Sequence, residues 1–328
     1  MTLRSIAKTI NKEYGDGSIF MMKDAGMFVE VVPTGILELD DALGGGFPKG
    51  RISEVFGQES SGKTTIALST CASAHKMGIN AAYVDVEHAL DPRWMDVIGI
   101  DQEKTLISQP DTGEEALEIV EKLIESGEVG VIVVDSVSAL LPRAEAAGDF
   151  GDSHIGLQAR LMSQGMRKIN GKLSKSECLI VFINQIREKV GVVFGNPEVT
   201  SGGRALKFYS SVRVETRSPR SASVKDGEEY IGRTIKATVV KNKVAPPFRV
   251  AEFDLMYETG ISFESSLFRM ALDRGILGKK GAWYFDAASG ENIGQGKDKA
   301  VKWLLENPDE AKRIEVAVMG RDQPQIEQ

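Results

Sequence analysis

The octapeptide running from Gly57 to Thr64, GQESSGKT, has the residue types and spacing of a phosphate cradle. Gly57 and Gly62 let a loop curl until its backbone N–H groups face an anion. A strand pattern, Arg51 to Phe56, leads into it. A helical pattern, Thr64 to Lys76, leads out and adds a positive helix end at the same spot. In such a loop the lysine reaches the β- and γ-phosphates and the next hydroxyl faces Mg2+; here those are Lys63 and Thr64. The expected ATP-binding residues are Gly57, Glu59, Ser60, Ser61, Gly62, Lys63, Thr64 and Thr65.

Phosphate chemistry also needs an acid on the metal side. VIVVDS places Asp135 directly after the apolar run Val129 to Val134, with Ser136 beside it. Asp135 is expected to hold Mg2+ through water, the alternative being a cap on the next helix. Hydrolysis needs a group that positions or deprotonates water. The strand Asn80 to Val86 delivers Asp85 and Glu87 on one face, and Glu87 is favoured because it lies at the carboxyl edge, where open α/β sheets place their sites. Gln185, after the strand Cys178 to Ile183, is a neutral amide that can sense a γ-phosphate without adding negative charge; the alternative is an ordinary strand-end turn.

Two stretches do not read as packed structure. One is Glu145 to His154. The other, Ile186 to Gly203, reads as an 18-residue loop with four glycines and a proline. Loops of that length in a compact core are usually functional or disordered. The second begins right after Gln185, so a phosphate contact there would be linked mechanically to the loop's order. Between them lies a helical pattern, Leu157 to Leu173. Its Arg160, Ser163 and Arg167 share a face suited to a phosphodiester backbone. Arg187, Lys189, Arg204 and Lys207 extend the basic track, and Val190, Val193 and Phe194 can wedge between bases.

The rest of the chain must position these groups. Strand and helix patterns alternate from Val31, including an acidic amphipathic helix from Gly113 to Ser126 and strands at Lys207 to Thr216 and Thr234 to Asn242. This implies a parallel sheet with helices on its faces. The first ~30 residues read as a helix and a Gly-rich turn. After about Gly260 the pattern changes to a helix (Ser262 to Arg274), a hairpin arm (281 to 286) and a helix ending at Asn307-Pro308. The expected fold is α/β: a P-loop ATPase core with a mostly parallel central sheet flanked by helices, a small N-terminal helical segment and a small α+β C-terminal domain. The boundaries are 1–30, 31–260 and 261–328.

Net charge is −7, which alone argues against a polyanion partner. The average conceals an asymmetry: Asp85 to Gly130 carries 13 acidic and 3 basic residues, while His154 to Arg217 carries 11 basic and 4 acidic. Nucleic-acid binding follows the local basic surface, although two solvated faces of opposite sign would look the same. No apolar run approaches the ~20 residues that span a bilayer. The polar N-terminus has no signal core, so a cytoplasmic location is expected. Cys71 and Cys178 read as reduced core residues, and three scattered histidines argue against zinc.

Taken in order, PTGILELDDALGGGFPKGRISEVFG, the phosphate loop, DVEHALDP, SQPDTGE, VIVVDSVSAL, GDSHIGL, FINQIR, FGNPE, KNKVAPPF and GAWY with IGQGK resemble the bacterial RecA recombinase family from about Tyr14 to Asn307. The resemblance implies a DNA-dependent ATPase that forms helical filaments on single-stranded DNA, pairs it with homologous double-stranded DNA and exchanges strands. It implies stimulation of SOS repressor self-cleavage, single-strand-binding and mediator proteins as partners, and ATP held between subunits. By resemblance Glu87 is the catalytic carboxylate and Gln185 the γ-phosphate sensor. Lys241 and Lys243 reach a neighbour's ATP, as an arginine finger does. Asp91, Trp94 and Tyr257 lie on the adenine side, and Phe208 is a filament-interface residue. Residues 145–155 and 186–203 are the two DNA-binding loops, with Arg160, Ser163, Arg167, Gly202 and Gly203 on the DNA backbone. The small C-terminal domain captures duplex DNA.

Four residues depart from the family pattern: Gln58 for proline, Trp94 for tyrosine, Glu188 inside the second loop and Arg204 after the glycine pair. The sequence ends in RDQPQIEQ without the family's long acidic tail, from which easier duplex capture is expected. Two other readings share the same core: a ring-shaped helicase-type motor and an ATP-gated filament scaffold.

Overall fold

The computed structural model describes residues 2–22, 29–149, 156–188, 198–219 and 222–320. Met1 to Glu30 form one compact unit and Val31 to Gln328 another. In the first unit the helix Leu3–Tyr14 is closed at its start by a capping box between Thr2 and Ser5 and at its end by Gly15. Leu3 and Tyr14 on it are exposed.

The second unit is built on one large sheet. Its main path runs Gly260–Ile261, Val250–Met256, Glu229–Asn242, Val212–Arg217, Ile52–Gly57, Leu179–Glu188, Val131–Asp135, Ala81–Asp85 and Thr105–Ser108. From Val212–Arg217 to Thr105–Ser108 all neighbours are parallel. The strands on the other side of Val212–Arg217 are antiparallel. The run of β-branched residues in Val131–Asp135 is explained by burial on both faces. Side chains alternate across the sheet. Val131 and Val133 enter one core with Val181, Ile183 and the Lys63–Lys76 helix. Ile132 and Val134 enter another with Ile180, Phe182 and the helices Gly113–Ser126 and Leu157–Leu173.

The register sets the site. Gly57 pairs with Gln185 and Phe56 with Asn184. Asp85 pairs with Asp135. The carboxyl ends of four adjacent parallel strands therefore deliver the phosphate loop, Gln185, Asp135 and the turn bearing Glu87 to one edge.

Two local expectations are corrected and a third is extended. Lys207 to Thr216 is not one strand: Ala205–Tyr209 is a short helix and the strand is Val212–Arg217. The break falls at Ser210, whose hydroxyl donates to the Leu206 carbonyl at 2.7 Å and closes the helix. The 186–203 stretch is not wholly irregular. The preceding strand continues to Glu188 and pairs antiparallel with Glu198–Thr200, leaving 189–197 outside the described residues. The helix Lys297–Glu306 ends at Asn307-Pro308 as expected, but the chain stays helical beyond it. Pro308 opens a further helix, Pro308–Gly320, because proline suits a first helical position whose N–H has no partner.

The C-terminal part packs Phe263–Asp273, Lys297–Glu306 and Pro308–Gly320 around a three-stranded antiparallel sheet. Phe268 and Tyr284 meet edge to face at 4.9 Å inside it. Asp254, on a core strand, ties this part down: it accepts from Lys297 at 2.6 Å, from Ser265 at 2.7 Å and from Arg269 at 3.2 Å. No helix among the described residues is long and apolar enough to cross a membrane.

Candidate active site

The phosphate loop is held from both sides. A Cβ on Gly57 would lie 2.3 Å from the Thr216 carbonyl oxygen, so glycine is required there by the neighbouring strand. The Ser61 hydroxyl lies 2.7 Å from the Thr216 hydroxyl and donates to the Gln58 carbonyl at 2.7 Å. Lys63 Nζ donates to that same carbonyl at 2.7 Å. Gln58 thus serves the loop through its backbone, which a proline would also supply. Burial draws the Lys63 ammonium below the usual lysine range, while Asp135, Glu87 and Glu59 act against that shift.

At the start of the helix that follows the loop, Thr64 Oγ1 donates to Asp135 Oδ2 at 2.9 Å. Tyr83, buried on the adjacent strand, donates its phenol to the same oxygen at 2.6 Å. Burial raises the Asp135 pKa, and the two donors from Tyr83 and Thr64 hold it down against that trend. Sequence reasoning missed Tyr83. Its signal was present: Tyr83 shares a face with Asp85 on the strand Ala81–Asp85, just ahead of Glu87.

Asp85 and Glu87 have different surroundings. Asp85 is buried and accepts from Ala89 N, Leu90 N and Gln109 Nε2 at 3.3, 3.3 and 3.0 Å. It braces the turn. Glu87 is exposed at the edge. Its Oε1 accepts from Gln185 Nε2 at 2.9 Å and from Ser136 Oγ in a short hydrogen bond. Ser136 Oγ lies 2.6 Å from Ser138 Oγ.

Two cavities meet here. One, of about 320 Å³, is lined by the loop from Ser60 to Thr65 with Trp94, Arg233 and Tyr257. The other, of about 300 Å³, is lined by Tyr83, Asp85, Glu87, Asp91 and Asp135 among others. Thr64 and Trp94 belong to both. Arg233 is a second residue the sequence did not reveal. It donates to the Ser60 carbonyl at 2.8 Å and to the Tyr257 hydroxyl at 3.3 and 3.2 Å, and lies 5.4 Å from that ring centre. Its strand gave only a β pattern, with nothing to show which loop it would meet.

Lys241 and Lys243 line neither cavity. Lys241 Nζ donates to the carbonyls of Lys207 and Phe208 at 2.8 and 3.2 Å, and Phe208 is 67% exposed beside it. Burial, then the charges of Lys243 and Arg213, lower the Lys241 pKa.

The basic helix is only partly free. Lys168 and Lys172 pair with Glu121, and Lys172 also with Glu125, on the acidic Gly113–Ser126 helix. The two charged stretches therefore neutralise each other along this contact. Arg160 and Arg167 are exposed and take no part in these pairs. The Ser163 hydroxyl donates back to the Ala159 carbonyl at 2.7 Å. Arg187 Nε donates to Ser201 Oγ at 3.1 Å across the hairpin stem. Gly202 is buried, while Gly203 and Arg204 are exposed. Lys189, Val190, Val193 and Phe194 lie outside the described residues.

The family model of the RecA N-terminal domain matches residues 1–262, and that of the RecA C-terminal domain matches residues 265–321. This chain belongs to the RecA family. Its function is that of a recombinase. The chain is 55% identical over 308 residues to Protein RecA of Saccharopolyspora erythraea, covering 93% of this chain and 88% of that one. It is 54% identical over 322 residues to Protein RecA of Heliobacterium modesticaldum, covering 97% and 92%. Among solved structures, the RadB recombinase crystal structure superposes with a TM-score of 0.54 at 24% identity, covering 70% of this chain and 98% of that one. That likeness bears on the fold. It agrees with a core whose mostly parallel sheet is flanked by helices; the small C-terminal domain rests on the family match to residues 265–321.

Proposed function

We propose that this RecA-family chain is a DNA-dependent ATPase that assembles as a helical filament on single-stranded DNA and catalyses homologous pairing and strand exchange in recombinational repair. One observation carries the reading. Gln185 holds Glu87 at 2.9 Å, and the strand bearing Gln185 runs on into the stem of the second loop. The group that would feel the nucleotide and the segment that would grip DNA are one piece of backbone.

Within this reading Lys63 and the loop N–H groups bind the β- and γ-phosphates of ATP, with Glu59, Ser60, Ser61 and Thr65 completing the cradle. Trp94, Asp91 and Tyr257 enclose the adenine side. The oxygens of Thr64 and Asp135 suit Mg2+, a hard cation that prefers oxygen and keeps several waters. Bound there, Mg2+ would neutralise charge on the phosphate oxygens. Glu87 orients the attacking water and accepts its proton through the oxygen left free by Ser136 and Gln185. Lys241 and Lys243 act on the ATP of a neighbouring subunit, next to a filament contact made by Phe208.

Arg160, Ser163, Arg167, Arg187, Gly202, Gly203 and Arg204, with Lys189 and Val190, form the single-stranded DNA surface. Residues 1–30 serve assembly, and 261–328 capture duplex DNA. The reading includes a cytoplasmic location, stimulation of SOS repressor self-cleavage by the DNA-bound filament, and single-strand-binding and mediator proteins as partners.

The test is ATP turnover with and without single-stranded DNA, run beside homologous strand exchange. Strong stimulation together with exchange is expected. A DNA-indifferent ATPase, or closed rings in place of filaments by electron microscopy, would overturn the reading.

A further inference from the structure

Gln158 sits at the start of the Leu157–Leu173 helix, two residues before Arg160, and no part of the phosphate chemistry described above uses it. Its side chain joins three elements. Nε2 donates to the carbonyls of Val137, Ser138 and Leu140 at 2.9, 3.4 and 3.2 Å. Oε1 accepts from Gly202 N at 3.2 Å. One amide therefore ties the first turn of the basic helix, the exit of the second loop and the turn that follows Asp135.

The packing around it is tight. A Cβ on Gly202 would lie 2.8 Å from Val137 Cγ1 and 3.1 Å from Met162 Cγ, and one on Gly203 would lie 2.8 Å from Ala159 Cβ. The loop exit rests on both the turn and the helix, so neither can shift without moving the other. The turn, Val137–Ala139, carries Ser138, whose hydroxyl meets Ser136 Oγ at 2.6 Å. The Ser136 hydroxyl donates to Glu87 Oε1. With that proton committed to the carboxylate, the Ser138 hydroxyl must be the donor of the serine pair.

Glu87 Oε1 thus has two anchors. Gln185 reaches it from the strand that would sense the nucleotide. Ser136 reaches it from a turn held by Gln158 against the DNA-facing elements. When Gln185 turns toward a γ-phosphate, Ser136 alone keeps the carboxylate in place.

We propose that Gln158 is a positioning residue for hydrolysis: through the Ser138–Ser136 hydroxyl pair it transmits DNA occupancy of the helix and loop exit to Glu87, by a route separate from Gln185. The inference rests on the DNA-dependent ATPase reading. It adds a line of coupling made of packed contacts and hydrogen bonds between elements that DNA would displace and the group that handles water.

The experiment measures ATP turnover with and without a dT oligonucleotide, and oligonucleotide affinity by fluorescence anisotropy, for wild type, Gln158→Ala, Gln158→Glu, Ser138→Ala and the Gln158→Ala/Ser138→Ala double variant. Gln158→Glu keeps an acceptor for Gly202 N but cannot donate to the turn, so it separates the two halves of the contact. Expected is a loss of about fivefold or more in DNA-stimulated kcat for all variants. For Gln158→Ala the DNA-free rate, KM for ATP and oligonucleotide affinity stay within about twofold of wild type. The double variant should be no slower than the worse single variant, because both act on one line.

Full stimulation in Gln158→Ala and Gln158→Glu would overturn the inference. So would multiplicative losses in the double variant, or affinity falling in step with rate. A wild-type rate unmoved by the oligonucleotide would instead overturn the functional reading beneath it.

Discussion

Gln185 Nε2 and Glu87 Oε1 are hydrogen-bonded at 2.9 Å, joining residues 98 positions apart across the carboxyl edge of the sheet. The amide is thereby committed to the carboxylate expected to activate water. A γ-phosphate that attracts the amide must take it from Glu87. The same strand ends in the stem of the second loop, so this exchange of partners would be felt there.

Replacing Glu87 with glutamine keeps the size and removes the basic oxygen. Glu87→Gln should lower kcat by about 10²- to 10⁴-fold with KM for ATP little changed, as expected when a general base is lost. DNA binding with a non-hydrolysable ATP analogue should persist. A fall in nucleotide affinity that accounts for the whole effect would mean that Glu87 binds nucleotide and does not activate water.

Tyr83→Phe leaves buried Asp135 without its shortest hydrogen bond. Losing a donor to a buried carboxylate should destabilise the fold by about 1–3 kcal/mol in urea unfolding. It also disfavours the charged form of Asp135, already raised by burial, so its pKa should rise further. The acidic limb of the pH–rate profile of Mg2+-dependent turnover should therefore move to higher pH. A profile superimposable on wild type would show that Asp135 does not limit activity.

Arg233→Ala should raise KM for ATP more than it lowers kcat, because it removes the bond to the Ser60 carbonyl and the prop under Tyr257. Arg233→Lys, a point charge without the planar fork, should recover little. Unchanged KM in both variants would exclude Arg233 from the nucleotide site.

Asp254 supplies a pH test of how the C-terminal part is held. Burial raises its pKa, but hydrogen bonds from Lys297, Thr234 and Ser265 prevail and bring it from 3.8 to about 2. A depressed carboxylate stabilises the fold above its unfolded value and ceases to do so as pH falls through the folded one. The contribution, about 2 kcal/mol, should therefore be present above pH ~4 and lost toward pH ~2. Urea unfolding of wild type should show this slope, and Asp254→Asn should flatten it. Equal slopes would place the acid sensitivity elsewhere.

Mixing variants tests action in trans. On the proposed roles, Glu87→Gln lacks the base and Lys241→Ala lacks the donated cation. Equal amounts of the two inactive proteins should recover about a quarter of wild-type turnover, since in a head-to-tail polymer that fraction of contacts joins an intact base to an intact lysine. No recovery would mean that Lys241 serves its own subunit.

Much of this arrangement is legible in the sequence. The Gly113–Ser126 helix has Thr112 as its cap and Gly127 after its end, so local chemistry fixes both boundaries. The phosphate loop and the sheet edge that gathers Glu87, Asp135 and Gln185 follow from short motifs and alternation. What was not legible depends on pairing between distant segments. Arg233 meets Ser60 across 173 positions, and Asn184 reaches Glu54 across 130. Nothing local distinguishes such a side chain from any other on a strand. The Ala205–Tyr209 helix, ALKFY, was hidden because its Leu206, Phe208 and Tyr209 suit a strand as well as a short helix.

The most direct measurement is the affinity for a dT oligonucleotide with ADP and with a non-hydrolysable ATP analogue, in wild type and in Gln185→Leu. Wild type should bind at least about tenfold more tightly with the analogue, a shift of ~1.4 kcal/mol, and Gln185→Leu should bind equally in both. A wild type indifferent to the nucleotide, or a variant that keeps the full difference, would contradict the proposed coupling of Gln185 to DNA binding by the second loop.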